Sequence, residues 1–292
     1  MTMEFAIALH GGAGAQPGTD YTAQKQHMGR LIVEGKELLL SGMSAVDAVA
    51  TVVADMEASG LYVAGKGSMP NRDGVVELDA SIMDGSQRRA GAVGALPNVV
   101  SPVKVALSIL VDGRQVMLAG DGAVRFAKQT GAEIVDDPDN YYCEHERHGA
   151  RDMVGSHGTV GAVALDTLGN LAGATSTGGL FHKEPGRIGD TPLIGAGTWA
   201  DDLVAVSCTG VGEAFIRSAA AHDVAARMRY SKAPLDEAAR AVLEETRKCG
   251  GDGGLIAIDK DGHITMPFNS HGMKCAAVSS EMDVVVRVFE KA

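Results

Sequence analysis

Apolar residues 5–9 form an unbroken run that stops at His10-Gly-Gly-Ala-Gly14, which predicts a strand entering a glycine turn. Residues 21–40 read as a helix ending near Ser41-Gly42. Ser44 then caps a second helix, with Asp47 three positions on and Val46, Val49, Ala50, Val53 and Met56 at helical spacing. Glycines at 65, 67 and 74 punctuate the chain before residues 75–79, and residues 81–83 followed by Asp84-Gly85 read as a strand and hairpin turn. Pro102 opens a third helix through Leu110, and residues 121–129 form another, stopped by Gly131. Residues 136–157 are polar and lack periodicity, which reads as a linker or a frayed surface helix.

The pattern changes after that segment. Residues 159–165 and 171–177 read as strands joined by the turn Asp166-Thr-Leu-Gly-Asn170, and residues 205–208 as a further short run. Residues 212–229 and 234–248 have helical spacing, 255–258 and 263–266 form a hairpin around Asp261-Gly262, and 275–279 and 284–289 are the last strands. Helices early and late, with antiparallel hairpins between them, favour an α+β arrangement of sheets flanked by helices over a doubly wound parallel sheet. Met28, Met43 and Met56 fall on core positions.

Composition narrows the function. The 292 residues carry a formal charge of −11, which argues against a nucleic-acid partner, because phosphate binding needs clustered Lys and Arg. Glycine is in excess at 38 residues and aromatics are scarce at 4%, a mixture that suits closely packed layers and many turns. No stretch approaches the length of a membrane span, and residues 1–10 show no secretory signal, so a cytoplasmic location is expected. Cys143, Cys208, Cys249 and Cys275 show no C-x-x-C spacing and are expected as reduced thiols.

Several chemistries fail on pattern. Neither Gly12-Ala-Gly14 nor Gly65-Lys-Gly67 completes a dinucleotide loop, and no phosphate-binding G-x-x-x-x-G-K-[ST], no H-E-x-x-H and no G-x-S-x-G occurs. Cys143, His145 and His148 lack a fourth ligand and read as part of the solvated linker. His10 reads as a hydrogen-bonded turn residue.

Gly158-Thr159 is different in kind. A hydroxyl is a weak nucleophile unless a base sits beside it, and a threonine at a chain start carries that base as its own α-amine. Alone, the pair equally describes a threonine entering a strand after a turn glycine. Three downstream segments favour the nucleophile. Ala174-Thr-Ser-Thr-Gly-Gly179 places hydroxyls, Thr177 among them, at a strand end. Gly186-Arg-Ile-Gly-Asp190 sets Arg187 and Asp190 three apart in a glycine loop, where a guanidinium can grip an α-carboxylate and a carboxylate an α-ammonium. Ser207-Cys-Thr-Gly210, followed by Gly212, puts Thr209 and backbone N–H groups before a helix, a place that stabilises an oxyanion.

With Leu9-His-Gly-Gly-Ala-Gly14, Ala64-Gly-Lys-Gly-Ser68 and Glu77-Leu-Asp-Ala-Ser-Ile-Met-Asp-Gly85, these motifs make nearly the whole chain resemble the plant-type L-asparaginase/isoaspartyl peptidases, which are N-terminal nucleophile hydrolases. The resemblance implies a four-layer αββα sandwich. It implies self-cleavage between Gly158 and Thr159, giving an α subunit of residues 1–158 and a β subunit of residues 159–292 that form one structural domain and assemble as (αβ)₂. It implies hydrolysis of β-aspartyl amide bonds in asparagine and isoaspartyl dipeptides. Thr159 would be the nucleophile, Thr177 would place its hydroxyl, Arg187 and Asp190 would hold the substrate head group, Thr209 and Gly210 would form the oxyanion hole, and Gly212 would line the pocket. No cofactor is implied beyond a structural sodium on backbone carbonyls in the loop before Gly65. The chain departs from the family pattern at Tyr62-Val-Ala-Gly65, where Val63 stands in place of the usual asparagine. Glycosylasparaginase is the alternative within the superfamily, though such sequences carry Asp before the nucleophile. A binding protein that keeps the pocket uncut is the alternative outside enzymes.

Overall fold

The computed structural model describes residues 4–142 and 158–290. It is a mixed α+β structure with an eight-stranded and a four-stranded sheet. Strand β1 (Ala6–Ala13), β2 (Glu77–Asp84), β3 (Arg89–Pro97), β4 (Met117–Ala119), β5 (Val160–Leu165), β6 (Leu171–Thr177), β11 (Met273–Ser279) and β12 (Val285–Arg287) form the large sheet in the order β12-β11-β1-β5-β6-β2-β3-β4. All neighbours are antiparallel except β3 and β4. The small sheet runs β10-β9-β8-β7, from β7 (Thr198–Ala200), β8 (Val204–Gly210), β9 (Gly253–Asp259) and β10 (Ile264–Thr265).

Alternation along the strands builds the core. In β1, Ile7 and Leu9 join an apolar cluster with Met28, Val49, Val53, Met56 and Ile109. These come from α1 (Thr22–Leu40), α2 (Ala45–Ala58) and α3 (Pro102–Asp112). Ala6 and Ala8 point the other way and meet Ala205, Ile256 and Ile258 of the small sheet. The opposite face of the small sheet, with Val206, Cys208 and Leu255, packs on Val224, Ala239 and Val242. Those belong to α7 (Ala220–Ser231) and α8 (Leu235–Lys248). Alanines between the sheets allow the close approach that the composition suggested. Met28 and Met56 are fully buried, and Met43 packs against the same cluster. Among the described residues no helix is long and apolar enough to cross a membrane. Cys208, Cys249 and Cys275 are free.

Ser44 caps α2 as expected, its hydroxyl accepting from Asp47 N at 3.1 Å. Helices α4 (Gly120–Gln129) and the short α5 (Pro138–Tyr141) complete the first half. Two expectations need correction. The helix expected over 212–229 is two: α6 (Gly212–Ser218) stops at Ala219, whose φ is +47°. The break lets the first amides of α7, those of Ala221 and His222, bond Ala196 O and Gly195 O. Tertiary bonds replace the helical ones lost at the break. Strand β1 also does not end at His10 but continues to Ala13, with its register on β11 slipping between His10 and Ala13. His10 is therefore a buried strand residue, not a turn residue. Cys143, His145 and His148 lie outside the described residues.

Candidate active site

Thr159 stands immediately before β5, one of the central strands of the large sheet, and is 7% exposed. Its Oγ1 donates to Thr177 Oγ1 at 3.2 Å. Thr177, the last residue of β6, in turn donates to Val63 O at 3.4 Å and accepts from Gly179 N at 3.0 Å. A hydroxyl whose proton is spent on a carbonyl presents lone pairs, so Thr177 holds the Thr159 hydroxyl by accepting from it. Val63 does more than replace a polar side chain. A Cβ on Gly158 would fall 2.3 Å from Val63 Cβ, so the residue before Thr159 must be glycine where Val63 packs.

Thr159, Thr177, Arg187, Asp190, Gly210 and Gly212 line one cleft together with Gly158, Gly179, Leu180 and Gly189. The sequence reading thus brings together all of its proposed residues except Thr209. The Thr209 side chain is fully buried and accepts from Ala13 N at 3.2 Å, which leaves its own proton to donate. Gly210, with φ at +156°, is where the chain turns out of β8 toward α6, and a Cβ there would meet Asp252 O at 2.3 Å.

Arg187 is held by Glu213, Nε at 3.0 Å and Nη2 at 2.8 Å from one carboxylate oxygen. Glycines make room for the guanidinium: a Cβ on Gly189 would lie 2.9 Å from Nη1, and one on Gly212 would lie 3.0 Å from Nη2 and 2.9 Å from Asp190 Oδ1. Asp190 is 5% exposed, and its Oδ2 is buried with no hydrogen-bond partner among the described residues. Burial pushes its carboxyl up to about 7, partly countered by Arg187. A buried carboxylate without a partner is costly, and a cation brought into the cleft would supply one.

This has a consequence for stability. An acid whose pKa rises from 3.8 unfolded to about 7 folded keeps its proton in the native state while the unfolded chain loses it. Its contribution is intact below about pH 4 and disappears as pH climbs through 7. Asp190→Asn is therefore expected to be more stable than wild type at pH 8, by a few kcal/mol at most, with the difference shrinking toward pH 4. Urea unfolding at the two pH values reads this directly.

Three residues to which the sequence reading gave no role fix the loop carrying Arg187 and Asp190. Asp79, fully buried on β2, accepts from Ala95 N at 2.9 Å and from Gly189 N at 3.1 Å. The Glu77 carboxylate accepts from Gly186 N at 3.0 Å and from Asn71 Nδ2 at 3.0 Å. Lys183 donates to Glu77 O at 2.7 Å, and burial lowers its pKa against the pull of Asp79. Two carboxylates spaced by one residue on a strand thus grip both ends of the segment 186–189.

Backbone carbonyls lie close against Gly65 and Gly67. A Cβ at Gly65 would meet Glu57 O at 2.5 Å, and one at Gly67 would meet Tyr62 O at 2.1 Å and Gly60 O at 3.0 Å. Neutral carbonyl oxygens are the donor type that a hard cation takes, and of these Tyr62 O already accepts from Ala64 N at 2.8 Å. Elsewhere, Asp259, Asp261 and His263 bring ligand atoms within 4.8 Å of one another on the β9–β10 turn. Asp259 there is already engaged by Asp261 N, His263 N and His263 Nδ1.

Comparison with known proteins agrees with the geometry. The family model described as asparaginase matches residues 3–287. The chain is 42% identical to the isoaspartyl peptidase of Salmonella typhimurium over 290 residues, covering 91% of this chain and 93% of that protein. It is 40% identical to the plant-type L-asparaginase of Pyrobaculum calidifontis over 91% of this chain and 94% of that protein. It is 37% identical to the isoaspartyl peptidase/L-asparaginase of Xenopus laevis, covering 96% and 94%.

Proposed function

Since the chain belongs to the asparaginase family, we propose that it is a hydrolase of β-aspartyl amide bonds, in asparagine and in isoaspartyl dipeptides, working through Thr159 at a self-generated chain start. The observation that carries this reading is the Asp190 carboxylate beside Arg187, its buried Oδ2 without a partner among the described residues, in one cleft with the Thr159 hydroxyl. An aspartyl head group has the matching pair of charges, an α-ammonium for Asp190 and an α-carboxylate for Arg187.

The course of the reaction follows from these positions. The precursor is cut when Thr159 Oγ1 attacks the Gly158 carbonyl, the C–N bond breaks, and water hydrolyses the resulting ester. Gly158 leaves with the carboxylate and Thr159 with a free amine. In turnover that amine takes the hydroxyl proton as Oγ1 attacks the side-chain carbonyl of the bound substrate. Gly210 N–H and the Thr209 hydroxyl proton stabilise the oxyanion. The amine returns its proton to the departing ammonia or amino acid, leaving an aspartyl ester on Thr159. Water, deprotonated by the same amine, then releases aspartate. Nothing in the clamp touches the leaving group, so the leaving group can vary.

Three apolar clusters support the four-layer αββα reading: one between α1–α3 and the large sheet, one between the sheets, and one between the small sheet and α7–α8. The carbonyls of Glu57, Gly60 and Tyr62 would hold a structural sodium, which would rigidify the turn whose Val63 O anchors Thr177. An (αβ)₂ assembly belongs to the same reading.

Steady-state rates on β-linked and α-linked Asp-Leu test the proposal. The α-linked isomer spends its α-carboxylate on the peptide bond and brings the scissile carbonyl one carbon nearer the ammonium. It should be cut at least about 100-fold more slowly, the cost of a misplaced reacting group. Comparable rates on the two overturn the clamp. A preference for glycosylated asparagine favours a glycosylasparaginase, and an uncut, inactive chain favours a binding protein.

A further inference from the structure

His10 is fully buried, with a partner on each ring nitrogen: Nδ1 lies 3.2 Å from Thr159 O and Nε2 lies 2.9 Å from Ser207 Oγ. Behind Ser207 the contacts continue as a row of hydroxyls. Ser207 Oγ is 2.7 Å from Thr175 Oγ1, Thr175 Oγ1 is 2.5 Å from Thr198 Oγ1, and Thr198 Oγ1 is 2.8 Å from Ser81 Oγ. Ser81 Oγ also lies 2.6 Å from Thr191 O, the residue after Asp190. The members come from β1, β8, β6, β7 and β2, so the row crosses between the two sheets. The site is built around this contact. A Cβ on Gly161 would fall 2.1 Å from Ser207 Oγ and 2.4 Å from His10 Nε2.

We propose that His10 is a positioning residue for the nucleophile: its Nδ1–H holds the Thr159 carbonyl, and Ser207 holds the ring by donating to Nε2. This rests on Thr159 being the nucleophile. The ladder explains the need. On the β6 side, pairing reaches Val160, opposite Ser176, but on the β1 side it ends at His10 opposite Gly161. Once cut, Thr159 is a chain end, and chain ends fray unless tied down. The ring supplies the tie on the side where the ladder stops. Fixing the carbonyl fixes the peptide plane between Thr159 and Val160 and so the position of the Thr159 Cα, while the contact with Thr177 holds the hydroxyl itself.

Proton counting sets the tautomer. Thr159 O can only accept, so Nδ1 must carry the proton. Burial pushes the His10 pKa down to about 3, so the ring holds a single proton at neutral pH and Nε2 accepts. Ser207 then donates to His10, Thr175 to Ser207, and Thr198 to Thr175, while the Ser81 proton is shared between Thr198 and Thr191 O. In this arrangement the protons of Ser207, Thr175 and Thr198 point toward His10, while Ser81 anchors the far end of the row on Thr191 O.

Two substitutions separate the ring's two contacts. His10→Asn places an amide nitrogen near the position of Nδ1 and gives up Ser207; His10→Gln reaches Ser207 and gives up Thr159 O. With β-Asp-Leu as substrate, His10→Gln is expected to lose about 10- to 100-fold in kcat, the worth of one well-placed hydrogen bond, and His10→Asn no more than about 5-fold. KM should move less than about 3-fold in both, since neither touches substrate. Equal losses in the two variants, or a rise in KM with kcat unchanged, overturn the proposal. Should both variants fail to fold, the ¹⁵N spectrum of the wild-type His10 ring decides: a proton on Nδ1 supports the proposal and a proton on Nε2 overturns it. Activity surviving in Thr159→Ala would instead remove the nucleophile on which the proposal rests.

Discussion

Thr159→Ala is expected to remain a single uncut chain without hydrolytic activity. In the proposed mechanism the hydroxyl serves twice, first against the Gly158 carbonyl and then against the substrate, so its loss blocks both steps. No neighbouring hydroxyl can take over. Thr177 Oγ1 sits 3.2 Å away but is engaged with Val63 O and Gly179 N, and Thr209 is tied to Ala13 N. Losing a nucleophile that is also needed for maturation should cost at least the roughly 10⁶-fold in kcat seen when a covalent catalyst is removed. A denaturing gel with intact mass gives the first readout and ammonia release from asparagine the second. A fragment beginning at residue 159 in the variant would show that the cut is made by another group.

Arg187→Ala carries the second large effect. The protein is net acidic, and its substrate brings a carboxylate, so the attraction must come from a fixed cation. Arg187 is 16% exposed at its side chain, braced by Glu213, and walled by glycines on both sides. Truncating one partner of a desolvated charge pair costs about 2–5 kcal/mol, which is about 30- to 4,000-fold in kcat/KM. The loss should be equal for asparagine and for β-Asp-Leu, because both present the same head group. Self-cleavage should proceed normally, since the clamp has no part in it, and a normal cut also shows that the variant folds. Unequal losses on the two substrates would place Arg187 on the leaving group instead.

Local signals made much of this legible in the sequence. The Ser44 cap, the Asp84-Gly85 turn and the Asp166–Asn170 turn are each decided by a few neighbouring residues, and the structure places them as read. Thr159, Thr177, Arg187 and Asp190 stood out beside glycines; Gly158, Gly178 and Gly189 mark places where a neighbour comes too close for a Cβ, whereas Gly186 takes a positive φ in open space. What the sequence hid depends on distance along the chain. Asp79 meets Gly189 across 110 residues and His10 meets Ser207 across 197, and no periodicity encodes such pairs. The break at Ala219 was hidden for a related reason: helical propensity on both sides is good, and only bonds to Gly195 O and Ala196 O make a turn there favourable. His10 read as a turn residue because two glycines follow it, yet the strand carries through them.

The strand order bears on what the proposed cut would do to the molecule. β1 precedes the proposed cut, yet its two neighbours, β11 and β5, both follow it. The two pieces are thus woven through one another, not docked side by side. Separating them means stripping β1 out of the middle of the large sheet, which is unfolding. The proposed cut would therefore break covalent continuity without creating a dissociable subunit. A chain cut there is expected to keep both pieces together on dilution for as long as the large sheet stays folded. The energetic cost of bringing the two halves together is met once, while the chain is still whole.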